Sequence, residues 1–537
     1  MGSAPVSRFG GATTTFFASS RLGSCVALVV VAAARIAGAA AANPVSIGTD
    51  AATFSWTTES IEAGRVTVVS ERGAAGSERT VEEPAAARHH VVEVDGLRPG
   101  TAYEYRLGGE DESSGGFRTF EPPPGDVVGV VFLIADIHFC EAAGDGDGAG
   151  GRCGQDVRRL GFSREAYAAA LADIRSRTER LRARFGDSLP VATIASGDVV
   201  QRMTPANRRG FVEASGAGPI PCVAPGNHDA GDERGLRDLL VALADAPCNR
   251  DGDLDVGPWR ILLLDSGSHD AGLGDAGLRR LDEALSLAPD RPTLLAMHHP
   301  WIAPPFVVLF GGEPGTFALR DADAFGAVLA KHPQVAAVLS GHIHANWTGK
   351  RGTVTQYVFS ALVQYPMGYH SITLYRGGFV RRFHPLAATA AEAEASEDAV
   401  VAWARERGYP FPEAAPGVLI GSPGDRNSVL TLAGAGERVD PDAAVASMPD
   451  ASGEPRSSVE GEAVEVASAV GGPDASRPPI AARPRVRGCG CGAAGACRGS
   501  PGIAAGLPLL AALAVGRRRR QPPRNSWTAN QIVQKSP

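Results

Sequence analysis

The chain has 537 residues, a formal net charge of −7 and a pI near 6.0. That length exceeds what one hydrophobic core supports, and no strongly basic region is present to grip nucleic acid in general. Hydrophobic residues make up 44% of the chain, enough for a sizeable core, while much of the excess of 66 glycines and 39 prolines lies outside the central region.

Residues 1–42 read as an export signal. Arg8 and Arg21 supply positive charge, Leu22–Ala34 is apolar, and Ala39–Ala42 offers small residues for cleavage. Residues 43–122 read as short strands separated by turns. Alternating patterns cover 53–58 and 65–70, two strands joined at Gly96–Gly100 cover 89–107, and a last strand covers 115–120. Their spacing suits a small all-β sandwich. His89 and His90 alternate along a strand and read as packing or solvent-facing residues. Glu121 and the three prolines after it form a stiff linker.

Residues 126–384 alternate apolar strand candidates with helical patterns at Ser163–Arg184, Leu278–Leu287 and Asp321–Lys331. That alternation predicts a layered α/β domain. Residues 385–487 read as a helix over about 387–407 and then, from about 411, a disordered spacer of small and charged residues. Residues 488–520 contain Cys489, Cys491 and Cys497, an apolar run from Ile503 to Val515 that is short for a membrane span, and Arg517–Arg520; residues 521–537 are a tail. In an exported protein Cys140–Cys153 and Cys222–Cys248 are plausible disulfides by proximity.

The chemistry lies where apolar runs stop. Val127–Ile134 runs into Asp136 and His138, residues 191–198 end at Asp198, and residues 220–229 hold Asn227 and His228. Residues 293–300 hold His298 and His299, and residues 335–344 end at His342 and His344. A buried strand that delivers polar ligands at its C-terminal end presents them at the rim of an α/β sheet. Carboxylate, amide and imidazole donors together suit Mn²⁺, Fe or Zn²⁺ better than Mg²⁺ or Ca²⁺. Asp136, His138, Asp198, Asn227, His298, His342 and His344 exceed what one ion needs and fit two divalent ions. Asp198 is the natural bridge. Asp136, His138 and His344 then complete the first site, and Asn227, His298 and His342 the second. Asp251, Asp253 and Asp255 lack the spacing of a calcium loop and read as a solvated hairpin. His269, His332, His370 and His384 carry no motif and read as structural.

The ordered set Asp136-Ile137-His138, Gly197-Asp198, Gly226-Asn227-His228-Asp229, His298-His299-Pro300 and Gly341-His342-Ile343-His344 resembles the calcineurin-like metallophosphoesterase family. The resemblance implies a four-layer core of two sheets flanked by helices, a dinuclear metal centre, and phosphoester hydrolysis by metal-activated hydroxide. It implies that His228 contacts the phosphate and protonates the leaving oxygen, that His298 is the ligand of its pair, and that His299 borders the substrate pocket. Asp229 is expected to orient a neighbour or cap the next turn. The pocket rim is expected near His299, Trp301 and loop 139–156, with Asn227, His228 and His299 binding substrate. Leu97–Arg106 resembles the strand-corner signature of fibronectin type III domains, and also the N-terminal domain of purple acid phosphatases. Those phosphatases carry a tyrosine where this chain has Gln201, so a tyrosinate–ferric centre is not expected. The cysteine cluster, apolar run and arginine block resemble the C-terminal sorting signal of myxobacterial exported proteins, which implies a transient or processed membrane anchor and a place at the cell surface or outside the cell.

Together these readings predict an exported phosphoesterase acting on small phosphomonoesters. The alternatives are a phosphodiesterase acting on cyclic nucleotides or other diesters, and an inactive surface binding protein. The oligomeric state stays open.

Overall fold

The computed structural model describes residues 44–432 except 71–77, 109–112, 142–162, 217, 249–252, 269, 311–316, 387–389, 407 and 410–411. The expected export signal, C-terminal sorting signal and tail, and Cys153, Asp251 and His269, lie outside the described residues.

The N-terminal part is one five-stranded antiparallel sheet of β1 (Ser46–Ile47), β2 (Ala51–Ser70), β3 (Glu78–Asp95), β4 (Ala102–Gly108) and β5 (Ser113–Arg118). The two separate strands expected at 53–58 and 65–70 are one long strand. Its first half pairs with β1 and its second half with β4, and β3 follows it along both, with register shifts between Thr57 and Glu62 and between Ala63 and Arg65. Phe54 from the first half packs on Tyr105 and Phe117 at ring distances of 5.0 and 5.8 Å, so the sheet folds over its own apolar face. Alternation of apolar residues along β4 drives this, because Tyr103, Tyr105 and Leu107 all point into that core. Tyr103 also accepts a hydrogen bond from Arg98 N at 2.8 Å, which fixes the corner between β3 and β4.

The larger part contains two six-stranded sheets. The first runs β17 (Ser428–Thr431), β16 (Gly378–Pro385), β15 (Gly368–Tyr375), β6 (Val127–Ile134), β7 (Val191–Ala195), β8 (Cys222–Val223). The second runs β13 (Trp347–Arg351), β14 (Val354–Val358), β12 (Val335–Ser340), β11 (Thr293–Ala296), β10 (Trp259–Leu263), β9 (Asp253–Val256). Strands β6, β7 and β8 are parallel to one another, and so are β10, β11, β12 and β14. Period-2 side chains explain the layers. Val131 and Leu133 of β6 meet Ile261, Leu294 and Leu339 between the sheets. Val130, Phe132 and Ile134 face outward onto Tyr167, Ala170, Leu171 and Ile174 of helix α1 (Ser163–Phe185). On the other outer face Leu295 and Val338 pack on Leu281 and Leu285 of α4 (Gly274–Ser286) and Phe325 of α5 (Ala322–Leu329). Helices α2 (Pro205–Ser215) and α3 (Glu233–Ala242) complete the α1 side. The result is four layers, helix–sheet–sheet–helix, with each fully buried apolar side chain contributing ~1.5–3 kcal/mol.

The α/β region does not stop at 384, nor does a spacer begin at 411. After α6 (Ala390–Glu406) the chain forms α7 (Ala415–Ile420), α8 (Pro423–Arg426) and then β17, which pairs antiparallel with β16 as the sheet's edge. Arg426 is fully buried and donates to the carbonyls of Val45 and Gly421. The four residues of β17 are too few to show a period, which is why composition concealed them. Cys222 and Cys248 form a disulfide with Cα atoms 5.8 Å apart, closing β8 onto the loop after α3. Cys140 is also disulfide-bonded. The aspartate-rich segment is a hairpin of β9 and β10, with Asp253 paired to Arg260. His90 is buried, bound to Glu83 at 2.6 Å and stacked on Trp56.

Candidate active site

Every proposed ligand lies past the C-terminal end of a parallel strand: Asp136 and His138 after β6, Asp198 after β7, Asn227 after the edge strand β8, His298 after β11, His342 and His344 after β12. Asp136, His138, Asp198, His342 and His344 all have positive φ, between 44° and 70°. Such left-handed backbone is uncommon for residues other than glycine and is tolerated where surrounding structure enforces it. Here the loops are tied to one another. Asp136 N donates to Gly197 O, His138 N to Asp198 O, and His342 N to the Asp136 carboxylate at 3.0 Å.

The side chains converge in two overlapping groups. His344 Nε2 is 3.2 Å from both Asp136 Oδ1 and His138 Nε2. His298 Nε2 is 3.2 Å from Asp198 Oδ2, from Asn227 Oδ1 and from His342 Nδ1. Asp198 Oδ2 also lies 3.8 Å from His138 Nε2, so this carboxylate faces both groups. Ligand atoms of Asp136, His138 and His344 all lie within 4.8 Å of one another, and so do those of Asp136, Asp198 and His298. Asp136, Asp198 and His298 are completely or almost completely buried. Imidazole and carboxylate tips drawn this close, away from water, are the donor chemistry of a transition-metal site.

Neighbours fix how each imidazole points. His298 Nδ1 donates to Ser196 O at 2.9 Å and His344 Nδ1 to Gln364 Oε1 at 2.6 Å, leaving Nε2 of each as the atom that could ligate an ion. Asp229, fully buried, accepts from Gly226 N at 2.9 Å, Val200 N at 3.2 Å and Val199 N at 3.3 Å, and so staples the Asn227 loop to the Asp198 loop. Gly226 packs so tightly on that junction that a Cβ there would lie 2.2 Å from Asp198 Oδ1. Sequence reasoning missed Gln364, Ser196 and Ser266. The signal for Gln364 was present, because Ala361–Val363 is one more apolar run ending in a polar side chain, bridged to β6 through Ala135 and Ala361.

Burial alone would raise Asp198, yet His298 and then His138 hold it well below the usual carboxylate range. Burial would lower His298, but the charge and hydrogen bond of Asp198 win and raise it to about 10. His344 rises likewise against burial, through Asp136. His138 falls to about 3 because burial outweighs Asp198, and His299 falls to about 3 through burial and the charge on His298. Burial and the charge of Asp198 push Asp229 up to about 7.

His228 and His299 border different members of the group, His228 packing on His138 at a ring distance of 4.7 Å and His299 on His342 at 4.5 Å. His228 Nε2 is 4.0 Å from Asp198 Oδ2, and its Nδ1 donates to Gln201 O at 2.8 Å, which aims Nε2 at the site. His299 Nδ1 lies 3.1 Å from Ser266 Oγ. One cavity of about 410 Å³ is lined by His299, His342, Asn227, Asp270 and Arg320. A second of about 470 Å³ is lined by His228, Asn227, Gln201, Arg202, Thr204 and Asp232. Trp301 is not at the rim. It is 4% exposed, packed on Phe325, and bound to Ala322 O. Loop 139–156 is described only as far as residue 141. His332, His370 and His384 lie apart from the site, bound to Asp282, Asn346 and Ser371.

This fold and donor set define a hydrolase scaffold built for two metal ions. The calcineurin-like phosphoesterase pattern matches residues 129–346. The 3′,5′-cyclic adenosine monophosphate phosphodiesterase CpdA of Escherichia coli strain K12 is 35% identical over 167 residues, 29% of this chain and 57% of that protein. This chain thus spans little more than half the length of that relative. A probable cyclic nucleotide phosphodiesterase of Synechococcus is 33% identical, over 33% of this chain and 68% of that one. The glycerophosphodiester phosphodiesterase GpdQ of Enterobacter lignolyticus is 30% identical, over 38% of this chain and 70% of that one. The chain belongs to the calcineurin-like phosphoesterase family, metal-dependent hydrolases with a dinuclear centre.

Proposed function

We propose that the protein is an exported phosphodiesterase that hydrolyses small phosphodiesters at a two-metal centre. The observation that carries the diester reading is the pair of cavities on either side of Asn227. A diester has two organic substituents and needs room for both, whereas a monoester needs one. His299, on the side away from His228, is held neutral by burial, and Arg320 there is paired with Asp270. Among the described residues that side therefore offers no uncommitted cation for the extra charge of a monoester's terminal oxygens. The named activities of the relatives agree. The monoester expectation rests on domain order alone and becomes the second reading.

Asp136, His138 and His344 would hold one ion, Asn227, His298 and His342 the other, and Asp198 both. Two divalent cations supply positive charge to phosphoryl oxygens and make a water acidic near neutral pH. The protein's own part is positional. Asp229 and the backbone around Asp198 keep the ligands converged, and Gln364 and Ser196 keep two imidazoles in the right tautomer. His228, with Nδ1 held by Gln201 O, presents Nε2 to protonate the departing oxygen. The folded-over N-terminal sheet, with its tyrosine at the corner, supports a fibronectin-like accessory domain. The leader and the C-terminal cysteine, apolar and arginine segments support export and surface attachment.

Purified protein loaded with Mn²⁺ and assayed on bis(4-nitrophenyl) phosphate and 4-nitrophenyl phosphate decides the matter. Faster turnover of the diester is expected. Preference for the monoester would restore the other reading, and no turnover with both ions bound would mean a binding protein.

A further inference from the structure

Resting on that reading, we infer that the leaving group of the natural diester carries an anionic group, recognised by Arg202 in the cavity beside His228. The first step is to tell the two cavities apart. A general acid must reach the departing oxygen, and His228 lines only the cavity that also holds Gln201, Arg202, Thr204 and Asp232. The leaving group therefore enters there, and the retained ester substituent lies in the cavity of His299 and Arg320.

The second step is the charge of each wall. On the retained side Arg320 is matched by Asp270. On the leaving-group side the acidic residue is already committed. Asp232 caps α3 by accepting from Arg234 N at 3.1 Å and lies 3.6 Å from Arg208, which also reaches Asp238. Arg202 is different. Its backbone carbonyl accepts from Thr204 N and the Asn207 amide, which anchors the residue, while no carboxylate among the described residues lies within ion-pair distance of its guanidinium. A half-buried arginine on an anchored backbone, lining a polar cavity and with no counter-charge among the described residues, suits a carboxylate or phosphate by paired N–H···O bonds. The recognition class is thus a phosphodiester whose departing alcohol bears a carboxylate or a phosphate.

The test compares two chromogenic diesters on the Mn²⁺-loaded full-length protein: methyl 4-nitrophenyl phosphate and methyl 3-carboxy-4-nitrophenyl phosphate. They share the retained group and differ by one carboxylate on the leaving group. The quantity read is the ratio of their kcat/KM values. Wild-type protein should favour the carboxylated ester by about tenfold, the scale of one hydrogen-bonded charge contact. Arg202→Ala should bring the ratio close to one, and Arg202→Lys should keep part of it. Arg320→Ala, in the opposite cavity, should leave the ratio as in wild type. Metal content measured on each variant guards against misfolding. A wild-type ratio near one, a ratio unchanged in Arg202→Ala with metal retained, or a ratio that collapses in Arg320→Ala instead would each overturn the inference. Failure to cleave either ester with both ions bound would instead overturn the phosphoesterase reading beneath it.

Discussion

Asp198 and His228 are neighbours, with His228 N donating to Asp198 Oδ1 at 2.9 Å and His228 Nε2 4.0 Å from Asp198 Oδ2, yet their side chains do different work. Asp198 faces both groups of converging side chains, so on the proposed assignment its loss would take a donor from each ion and leave His298 without its charged partner. Asp198→Ala is expected to lose bound metal and activity together. His228 touches the centre only from outside, so His228→Ala should retain two ions while turnover slows by ~10²–10⁴-fold. Metal analysis beside steady-state kinetics checks this, and equal metal loss in both variants would contradict the division of roles. His298 gives a pH dependence. The Asp198 carboxylate keeps a proton on the His298 imidazole up to about pH 10 in the metal-free protein, but a ligand imidazole must be neutral. Metal uptake near neutral pH must therefore expel that proton, and apparent affinity should rise as pH rises from 6 to 9. Calorimetry in buffers of different ionisation enthalpy reads the released proton directly. An affinity indifferent to pH over that range would show that the proton is not there.

At the scale of elements, the site depends on strand ends held in register by contacts that leave little sequence trace. Gln364 follows β14 and holds His344 at 2.6 Å. Gln364→Ala should weaken metal binding by ~10–100-fold, the usual cost of losing a partner of a ligating histidine. A chelator competition assay measures it, and restoration by Gln364→Glu would tie the effect to the hydrogen bond. The seven proposed donors, whose side chains converge, stand out because each follows an apolar run and carries a distinctive side chain. Gln364 was harder, being a lone amide after a similar run, with no second polar residue to mark it. Asp229 was legible as an orienting residue, but not as the staple between two loops, because its partners are backbone N–H groups thirty residues away. The long bent β2 was read as two strands because residues 59–64 break the alternation, while hydrogen bonds to β3 carry the chain through as one element. β17 escaped because its place is decided by pairing with β16 and by the buried Arg426 beside it, neither of which composition reveals.

For the whole molecule, the question is what fastens the N-terminal sheet to the catalytic layers. Part of the answer is apolar, since Tyr375, Val380 and Val429 join the core of the N-terminal sheet. The rest is a charged clamp. Glu93 of β3 accepts from Arg177 of α1 at 2.9 Å and from Arg382 of β16 at 3.0 Å, and all three side chains are less than a fifth exposed. Arg177 is itself braced by Asp173 and the Tyr369 hydroxyl at 3.1 and 3.0 Å. Burial would raise Glu93, but Arg177 and Arg382 prevail and lower it from 4.5 to about 2. A carboxyl with a lowered folded-state pKa stabilises the fold fully above its unfolded value and loses that contribution as pH falls through the folded one. Glu93 therefore contributes on the order of 3 kcal/mol at pH 7, declining from about pH 4.5 toward pH 2. Glu93→Gln removes the charge and leaves two buried guanidinium groups short of a partner, so the variant should be less stable by about that amount at pH 7. Lowering the pH to 3.5 weakens wild type but not the variant through this group, so the gap should narrow by roughly 1 kcal/mol. Urea unfolding of metal-free wild type and variant at both pH values isolates the effect, because the other carboxylates cancel in the difference. A gap that stays constant with pH would mean that the clamp holds by shape and hydrogen bonding, with charge contributing nothing measurable.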